Sequence, residues 1–102
     1  MANRTNKNPI FIDTWGADIV LSAKEIPMTI RKIRLFSAAV GDIFALENAL
    51  GDQTFRMVQE VVAGMVEVDF GDSGFKFAGG VTIDVSDCTG IGAGDYVWIY
   101  LK

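Results

Sequence analysis

The segment Tyr96–Leu101 (YVWIYL) has the clearest strand pattern in the chain. Its residues at 96, 98 and 100 are aromatic, and those at 97, 99 and 101 are aliphatic, so both alternating phases are bulky. A strand with one side in water would carry polar residues in one phase. We therefore expect one side of this strand to face the core and the other to be covered by further protein.

Weaker strand patterns precede this segment along the chain. In Met28–Phe36, apolar residues at 33 and 35 alternate with basic residues at 32 and 34, which predicts a half-buried strand. Ile30 is out of phase with that alternation, so we expect a bulge near Arg31. Further strands are predicted at Pro9–Thr14, Asp18–Ser22, Ile43–Glu47, Val66–Phe70, Phe75–Phe77 and Val81–Val85.

The segment 53–65 is ambiguous between a strand and a short helix. Its apolar residues at 55, 58, 61, 62 and 65 have helical spacing. Several of its residues are β-branched, however, which favours a strand. We predict a strand at Thr54–Glu60, with a single short helix as the alternative.

Turn residues separate these segments every 8–12 residues, a spacing typical of all-β domains. The 102 residues suit one domain. The sequence thus predicts an all-β fold, namely a single antiparallel β-sandwich or small barrel of about eight strands at residues 9–102. The polar residues 1–8 are predicted to form an extended N-terminal arm.

Charge argues against a nucleic-acid-binding module, because the formal net charge is −4. The charge is uneven: residues 1–36 carry six bases and three acids, and residues 37–102 carry three bases and ten acids. If the fold places the two parts on different faces, copies of the chain would attract one another. If both parts interleave in one sheet, the asymmetry disappears.

The side-chain inventory favours a non-enzymatic protein without a cofactor. No histidine is present, which removes the usual base of Ser-His and Cys-His catalysis. Cys88 is the only cysteine, so no intrachain disulfide forms, and its acidic neighbours are expected to raise its pKa. Gly90–Asp95 resembles a phosphate-binding glycine loop, but a strand follows it where such a loop needs a helix, so we predict a flexible loop.

Two ligand-binding alternatives remain open at this stage. Asp69, Asp72, Asp84 and Asp87 surround two predicted turns, where their oxygens would converge on calcium, although Asp is also common in turns for its own backbone bonds. The aromatic residues would line a sugar site, or would form core or subunit interface.

The basic strand allows a third alternative. Its bases at 31, 32 and 34 beside Phe36 would suit single-stranded nucleic acid. The negative net charge of the chain favours instead a strand that faces solvent or a neighbouring subunit. No stretch approaches the 18 apolar residues of a membrane helix, and the residues after Met1 lack the apolar centre of a secretory signal, so no membrane partner is expected.

The order of segments resembles the small all-β virion proteins of tailed bacteriophages. It is most similar to the β-sandwich decoration, or capsid cement, proteins. The resemblance covers nearly the whole chain and rests on loose strand-and-turn patterns, namely Asn3–Thr14, Ile30–Phe36, Asp42–Leu46 with a turn at Gly51, Gly79–Ile83 and Tyr96–Leu101.

The resemblance implies a mechanical role on the capsid exterior, with assembly in the host cytoplasm. Copies, expected as homotrimers, would clamp neighbouring subunits of the major capsid protein, and the arm would bind a groove or a neighbour's sheet. The expected contact residues are Arg4, Lys7, Phe11, Trp15, Arg31 and Arg34. The alternatives are a tail or head–tail component, or a non-enzymatic sugar- or calcium-binding sandwich.

Overall fold

Nine β-strands and one 3₁₀-helix form the regular structure of the described part of the chain. The computed structural model describes residues 3, 8–22, 26–48, 54–60, 64–92 and 94–102. Within these residues the elements are β1 (Ile10–Ile12), β2 (Ile19–Val20), β3 (Met28–Ser37), β4 (Ile43–Glu47), β5 (Thr54–Val58), β6 (Gly64–Asp69), β7 (Phe75–Phe77), β8 (Thr82–Ile83), the 3₁₀-helix η1 (Val85–Asp87) and β9 (Tyr96–Leu101).

The strands form two antiparallel sheets that pack as a sandwich. The five-stranded sheet has the order β1-β9-β3-β6, and β7 pairs with the start of β3. The four-stranded sheet has the order β2-β8-β4-β5. Because the two sheets are not joined into one closed sheet, the sandwich prediction is confirmed and the barrel alternative is wrong.

The core lies between the sheets and follows the alternation of the strands. Ile33 and Leu35 of β3 are fully buried, as are Val97 and Ile99 of β9. Across the core, the four-stranded sheet contributes residues such as Phe44, Leu46, Met57 and Ile83. Burying a large apolar side chain stabilises a fold by about 1.5–3 kcal/mol, so this double layer is the main source of stability.

The predicted bulge in β3 is confirmed. The register between β3 and β9 shifts between Ile30 and Lys32. The extra residue allows both Ile30 and Ile33 to enter the core although three positions separate them. The carbonyl of Arg31, at the bulge, accepts a 2.8 Å hydrogen bond from the Phe70 N–H.

All the predicted strands are present, and several have different limits: Pro9–Thr14 is shortened to β1, Asp18–Ser22 is shortened to β2, and Val66–Phe70 is displaced to β6. Thr54–Val58 is a strand paired to β4, so the helical alternative is wrong there, while residues 61–63 lie outside the described part of the chain. The predicted strand Val81–Val85 is shortened to β8. Asp84 ends it, because its carboxylate accepts a bond from the Ser86 N–H and caps η1.

Candidate functional site

The outward side of the five-stranded sheet carries a layer of aromatic rings. Val97 and Ile99 point into the core, so the alternating residues at 96, 98 and 100 of β9 point outward. Strand pairing places Phe11 opposite Trp98 and Phe36 opposite Tyr96. We call this surface the aromatic face; it consists of Phe11, Phe36, Tyr96, Trp98 and Tyr100.

The rings of the aromatic face pack on one another. Ring centroids of Phe11 and Trp98 are 4.4 Å apart, and those of Phe11 and Tyr96 are 5.8 Å apart. Phe36 and Tyr96 are stacked at 5.0 Å with an angle of 12° between their planes. These contacts engage the ring faces within the layer and add rigidity to it.

Charged residues continue the same surface across β3 and β6. Glu67 Oε1 lies 3.3 Å from Arg34 Nε and 3.9 Å from Lys32 Nζ. Lys32 Nζ also lies 5.0 Å from the centre of the Tyr100 ring. The side chains of both ion pairs are at least a quarter exposed, so each pair contributes at most about 1 kcal/mol to stability.

The surface changes from apolar to basic along the strands. At one end, Phe36 pairs with Met65 and Tyr96. At the other end, the backbone N–H of Lys102 donates a hydrogen bond to the carbonyl of Thr29. Thr29 is paired with Lys76 of β7 in the sheet. Because Ile30 and Phe77 are buried, alternation directs both lysines outward. We call Lys32, Lys76 and Lys102 the basic end of this surface.

Two of the expected contact residues meet on this surface. Phe11 lies on the edge strand β1 and is buried, with an exposed fraction of 7%, and Arg34 on β3 pairs with Trp98 on β9. Arg31 is exposed at the bulge. Arg4 and Lys7 lie outside the described residues.

Trp15, also expected as a contact residue, makes internal contacts. Its Nε1 donates a 3.0 Å hydrogen bond to the carbonyl of Asp95, and its ring meets the ring of Phe44 edge-on at 6.1 Å. The side chain is half-buried and lines a surface cavity of about 330 Å³ together with Ile91 and Gly92. Nothing in this geometry tests a role in contacting a partner, which stays a prediction.

The expected contact residues did not include Phe36 or the aromatic residues of β9, and sequence reasoning also missed Met65 and Glu67 on this surface. Their side chains join it through pairing with Phe36 and Arg34. The alternation in β3 signalled that positions 34 and 36 share one side. The identity of the neighbouring strand is set by long-range pairing, which a single sequence does not reveal.

The four aspartates of the calcium alternative are not brought together in the described residues. In the described residues, ligand oxygens of Glu47, Asp84 and Asp87 lie within 4.8 Å of one another. Asp69 and Asp72 lie instead at the end of β6 and in the turn to β7, where Asp69 Oδ1 accepts a 2.7 Å bond from the Gly71 N–H. Hydrogen bonds from the hydroxyl and the backbone N–H of Ser86 lower the pKa of Asp84.

The surroundings of Cys88 disfavour its thiolate form. Burial raises the pKa of its thiol, and the charges of Asp87 and Asp84 raise it further. The sulfur accepts a 3.4 Å bond from the Ala45 N–H. The predicted rise in its pKa is confirmed in direction, with burial as the larger cause.

The glycine-rich loop before β9 binds a carboxylate of its own chain. Asp95 Oδ2 accepts a 3.0 Å bond from the Gly92 N–H, and Asp95 Oδ1 accepts a 3.1 Å bond from the Ala38 N–H. Gly90 and Gly94 have positive φ. The Gly92 N–H, a donor that a phosphate site would require, is therefore already engaged.

No helix within the described ranges is both long and apolar enough to cross a membrane. Comparisons with protein-family models, curated proteins and solved structures returned no significant match to this chain.

Proposed function

We propose that this chain is a structural protein of a bacteriophage virion, which decorates the capsid exterior and stabilises it by clamping neighbouring major capsid subunits. The observation that carries the proposal is the aromatic face. The second sheet packs on the opposite side of the five-stranded sheet, so these rings form a separate aromatic layer outside the core, in which Phe11 is buried and the other four rings are partly exposed. The order of strands and turns that resembles decoration proteins supports the same role.

The composition of this surface suits a protein partner. Protein interfaces are enriched in Tyr, Trp, Phe and Arg at their centres and are polar at their rims. Here Tyr96, Trp98 and Phe11 lie beside the Arg34–Glu67 pair. This arrangement places aromatic rings next to charged side chains on one surface.

The ring geometry favours protein docking over sugar binding. A sugar stacks on an open ring face, but Phe36 and Tyr96 are stacked on each other and Trp98 packs against Phe11. Lys32 lies over the ring of Tyr100. These contacts within the chain leave less ring surface on which a sugar could stack.

The size of the surface favours many weak contacts. Four strands about 4.8 Å apart and six residues rising about 3.4 Å each cover roughly 400 Å². A stable one-to-one interface buries about 800 Å² on each partner. A single copy would therefore bind weakly, whereas many copies that each bridge subunits of a symmetric lattice stabilise the shell together.

A binding experiment on capsids tests this proposal. Purified chain is added to capsids from phage that lack it, and bound protein is measured after sedimentation. The double variant Tyr96→Gln/Trp98→Gln is expected to bind at least 10-fold more weakly, because central aromatic residues often contribute about 2 kcal/mol or more to an interface.

The control is Val20→Gln, which replaces an apolar side chain that is 64% exposed on the other sheet. It is expected to bind as the wild type does. Circular dichroism establishes that all variants are folded. Equal binding by the double variant and the wild type would contradict the proposed docking surface.

One observation favours an alternative, a calcium-binding sandwich. The carboxylates of Glu47, Asp84 and Asp87 are close enough to share a cation. Calcium binding would raise the Tm of the purified protein in millimolar CaCl₂ relative to EDTA. An unchanged Tm would remove this alternative and leave the structural role.

A further inference from the structure

The five-stranded sheet ends in β6, an edge strand. β6 lies at the end of the strand order and is paired with β3 over all six of its residues. Within the described ranges, no strand pairs with its other side. β6 is also the longest of the strands that end the two sheets, because β1, β2 and β5 have three, two and five residues.

The backbone groups on the open side of β6 are those of Met65, Glu67 and Asp69. The N–H of Phe70, the residue after β6, donates a 2.8 Å hydrogen bond to the carbonyl of Arg31 on β3. Alternate residues of an antiparallel strand bond to the same neighbour, so the residues at even positions of β6 bond to β3. The residues at odd positions therefore direct their N–H and C=O groups away from the sheet.

The pairing of β3 with β9 gives the same assignment. The N–H of Lys102 donates a 3.1 Å hydrogen bond to the carbonyl of Thr29 on β3, so Tyr100, two residues earlier, also bonds to β3. Tyr100 is paired with Lys32, and the next residue, Ile33, therefore bonds to β6. Its partner there is at position 68, which is even.

The open edge of β6 lacks the usual features that prevent strand pairing. Proteins commonly protect an edge strand with a lysine, a proline or a bulge. β6 contains neither residue type, and its register with β3 runs without a shift from Gly64 to Asp69. In the described part of the chain, no other backbone group bonds to the backbone of Met65, Glu67 or Asp69. These groups are thus available to an extended segment of another chain.

The side chains of β6 define what such a segment must carry. Val66 and Val68 pack against the core and are partly exposed, whereas Glu67 and Asp69 are exposed on the outward side of the sheet. A strand added beside β6 would place one of its alternating phases next to the valines and the other next to the carboxylates. The complementary segment therefore alternates β-branched apolar residues with Lys or Arg.

The same charges disfavour a second copy of β6 as the occupant. Two antiparallel copies centred on Glu67 would place the two Glu67 carboxylates directly opposite each other. A register that pairs Glu67 with Asp69 has the same fault, because like charges opposite each other destabilise a sheet. The register that pairs Met65 with Glu67 avoids this contact but joins only residues 64–68.

We propose that the open edge of β6 binds an extended segment of a partner protein by strand addition, and that this segment alternates β-branched residues with Lys or Arg. Main-chain hydrogen bonds to Met65, Glu67 and Asp69 would supply affinity, and cross-strand charge pairs would supply selectivity. The rings of the aromatic face lie on β1, β9 and β3, so a strand beyond β6 leaves them uncovered. This binding does not depend on the proposed capsid role.

A synthetic peptide tests the edge directly. The probe is the capped heptapeptide TVKVKVT, and the matched peptide TVEVEVT carries the opposite charge. NMR titration of the isotope-labelled chain at low salt is expected to show saturable binding of TVKVKVT, with the largest amide shifts at Met65, Glu67 and Asp69. TVEVEVT is expected to bind at least about 3-fold more weakly, because each cross-strand charge pair changes from attractive to repulsive.

Methylation of the peptide backbone separates strand addition from a general attraction between charges. In the proposed register the N–H groups of the lysines face β6, and those of the valines face away from it. N-methylation of both lysines is expected to weaken binding at least about 10-fold, because two main-chain hydrogen bonds are lost. N-methylation of two valines is the matched control and is expected to leave binding nearly unchanged.

A charge reversal on the chain tests the selectivity. Glu67→Lys is expected to weaken binding of TVKVKVT at least about 3-fold and to strengthen binding of TVEVEVT. Asp18→Lys makes the same change of charge at an exposed position beside β2, at the other end of the four-stranded sheet, and is expected to bind as the wild type does. Circular dichroism establishes that both variants are folded.

Several outcomes would overturn the proposal. These are no binding of TVKVKVT at millimolar concentration, equal binding of the two N-methylated peptides, or amide shifts that map away from β6. Sedimentation velocity of the chain alone is expected to show no dimer joined through β6. Such a dimer, identified by its amide shifts, would make a second copy the occupant and would also contradict the proposal.

Discussion

Asp95 shows how one side chain joins two loops of the fold. It is 5% exposed, and its two carboxylate oxygens accept bonds from the N–H groups of Ala38 and Gly92. Its carbonyl accepts the bond from Trp15. The carboxylate therefore holds the β3–β4 connection against the loop before β9.

Replacing Asp95 should destabilise the protein. Asp95→Ala leaves the two N–H groups without this acceptor, which costs about 1–3 kcal/mol for each buried group that stays unsatisfied. Chemical denaturation is expected to show a lower midpoint for Asp95→Ala and an unchanged midpoint for Asp72→Ala in the exposed turn. An unchanged midpoint for both variants would contradict the structural role of Asp95.

The titration of Asp84 should depend on Ser86. The Ser86 hydroxyl and N–H bond to the Asp84 carboxylate and lower its pKa below the ordinary value of 3.8. A lowered pKa in the folded state means that this group stabilises the fold above the ordinary pKa. That contribution is lost as the pH falls through the lowered pKa.

Ser86→Ala removes the hydroxyl and is expected to move the pKa of Asp84 upward. Carboxyl resonances followed by NMR from pH 2 to 7 report this pKa directly. An unchanged pKa of Asp84 in the variant would show that the Ser86 hydroxyl is not the main cause of the lowered pKa.

At the scale of elements, the local sequence pattern predicted the limits of a strand correctly where turn residues adjoin that strand. Ile43–Glu47, Phe75–Phe77 and Tyr96–Leu101 have the predicted limits. Asp84 explains the shortened β8, because its side chain caps η1 where alternation alone continued the strand. A local polar bond thus prevails over an apolar pattern.

The candidate site was predictable only in part, for a related reason. Alternation placed Arg34 and Phe36 on one side of β3, and Phe11 was expected as a contact residue. Their convergence with Trp98 depends on β9 lying between β1 and β3, a pairing of residues distant in sequence. Trp15 illustrates the opposite case, since an aromatic residue near a strand end packs inward as readily as outward.

The N-terminal arm offers a prediction at the element scale. Of the predicted arm, the structure describes Asn3 and Asn8, and both side chains form hydrogen bonds within their own chain. Asn3 Oδ1 accepts 2.9 Å bonds from the N–H groups of Asp13 and Thr14. Asn8 Oδ1 accepts a 2.9 Å bond from the Leu101 N–H.

Deletion of residues 1–7 spares Asn8 and is expected to abolish capsid association while the circular dichroism of the sandwich stays unchanged. Capsid sedimentation measures this loss, and Asn3→Ala serves as the matched variant that removes only the bonds to Asp13 and Thr14. Full binding by the folded deletion variant would contradict a contact role for the arm.

At the scale of the whole molecule, the aromatic face is the surface that the proposed docking uses. It lies at the apolar end of the five-stranded sheet, and Lys32 of the basic end lies beside it, over the ring of Tyr100. Under the proposed role, many weak contacts of this kind add up on a symmetric shell.

The most direct test of the central claim is the copy number of this chain in purified virions, measured by quantitative mass spectrometry relative to the major capsid protein. The proposed decoration role predicts a number comparable with that of the capsid subunit. A few copies per virion would contradict decoration and place the chain in the tail or head–tail connection. Absence from the virion would contradict a virion role altogether.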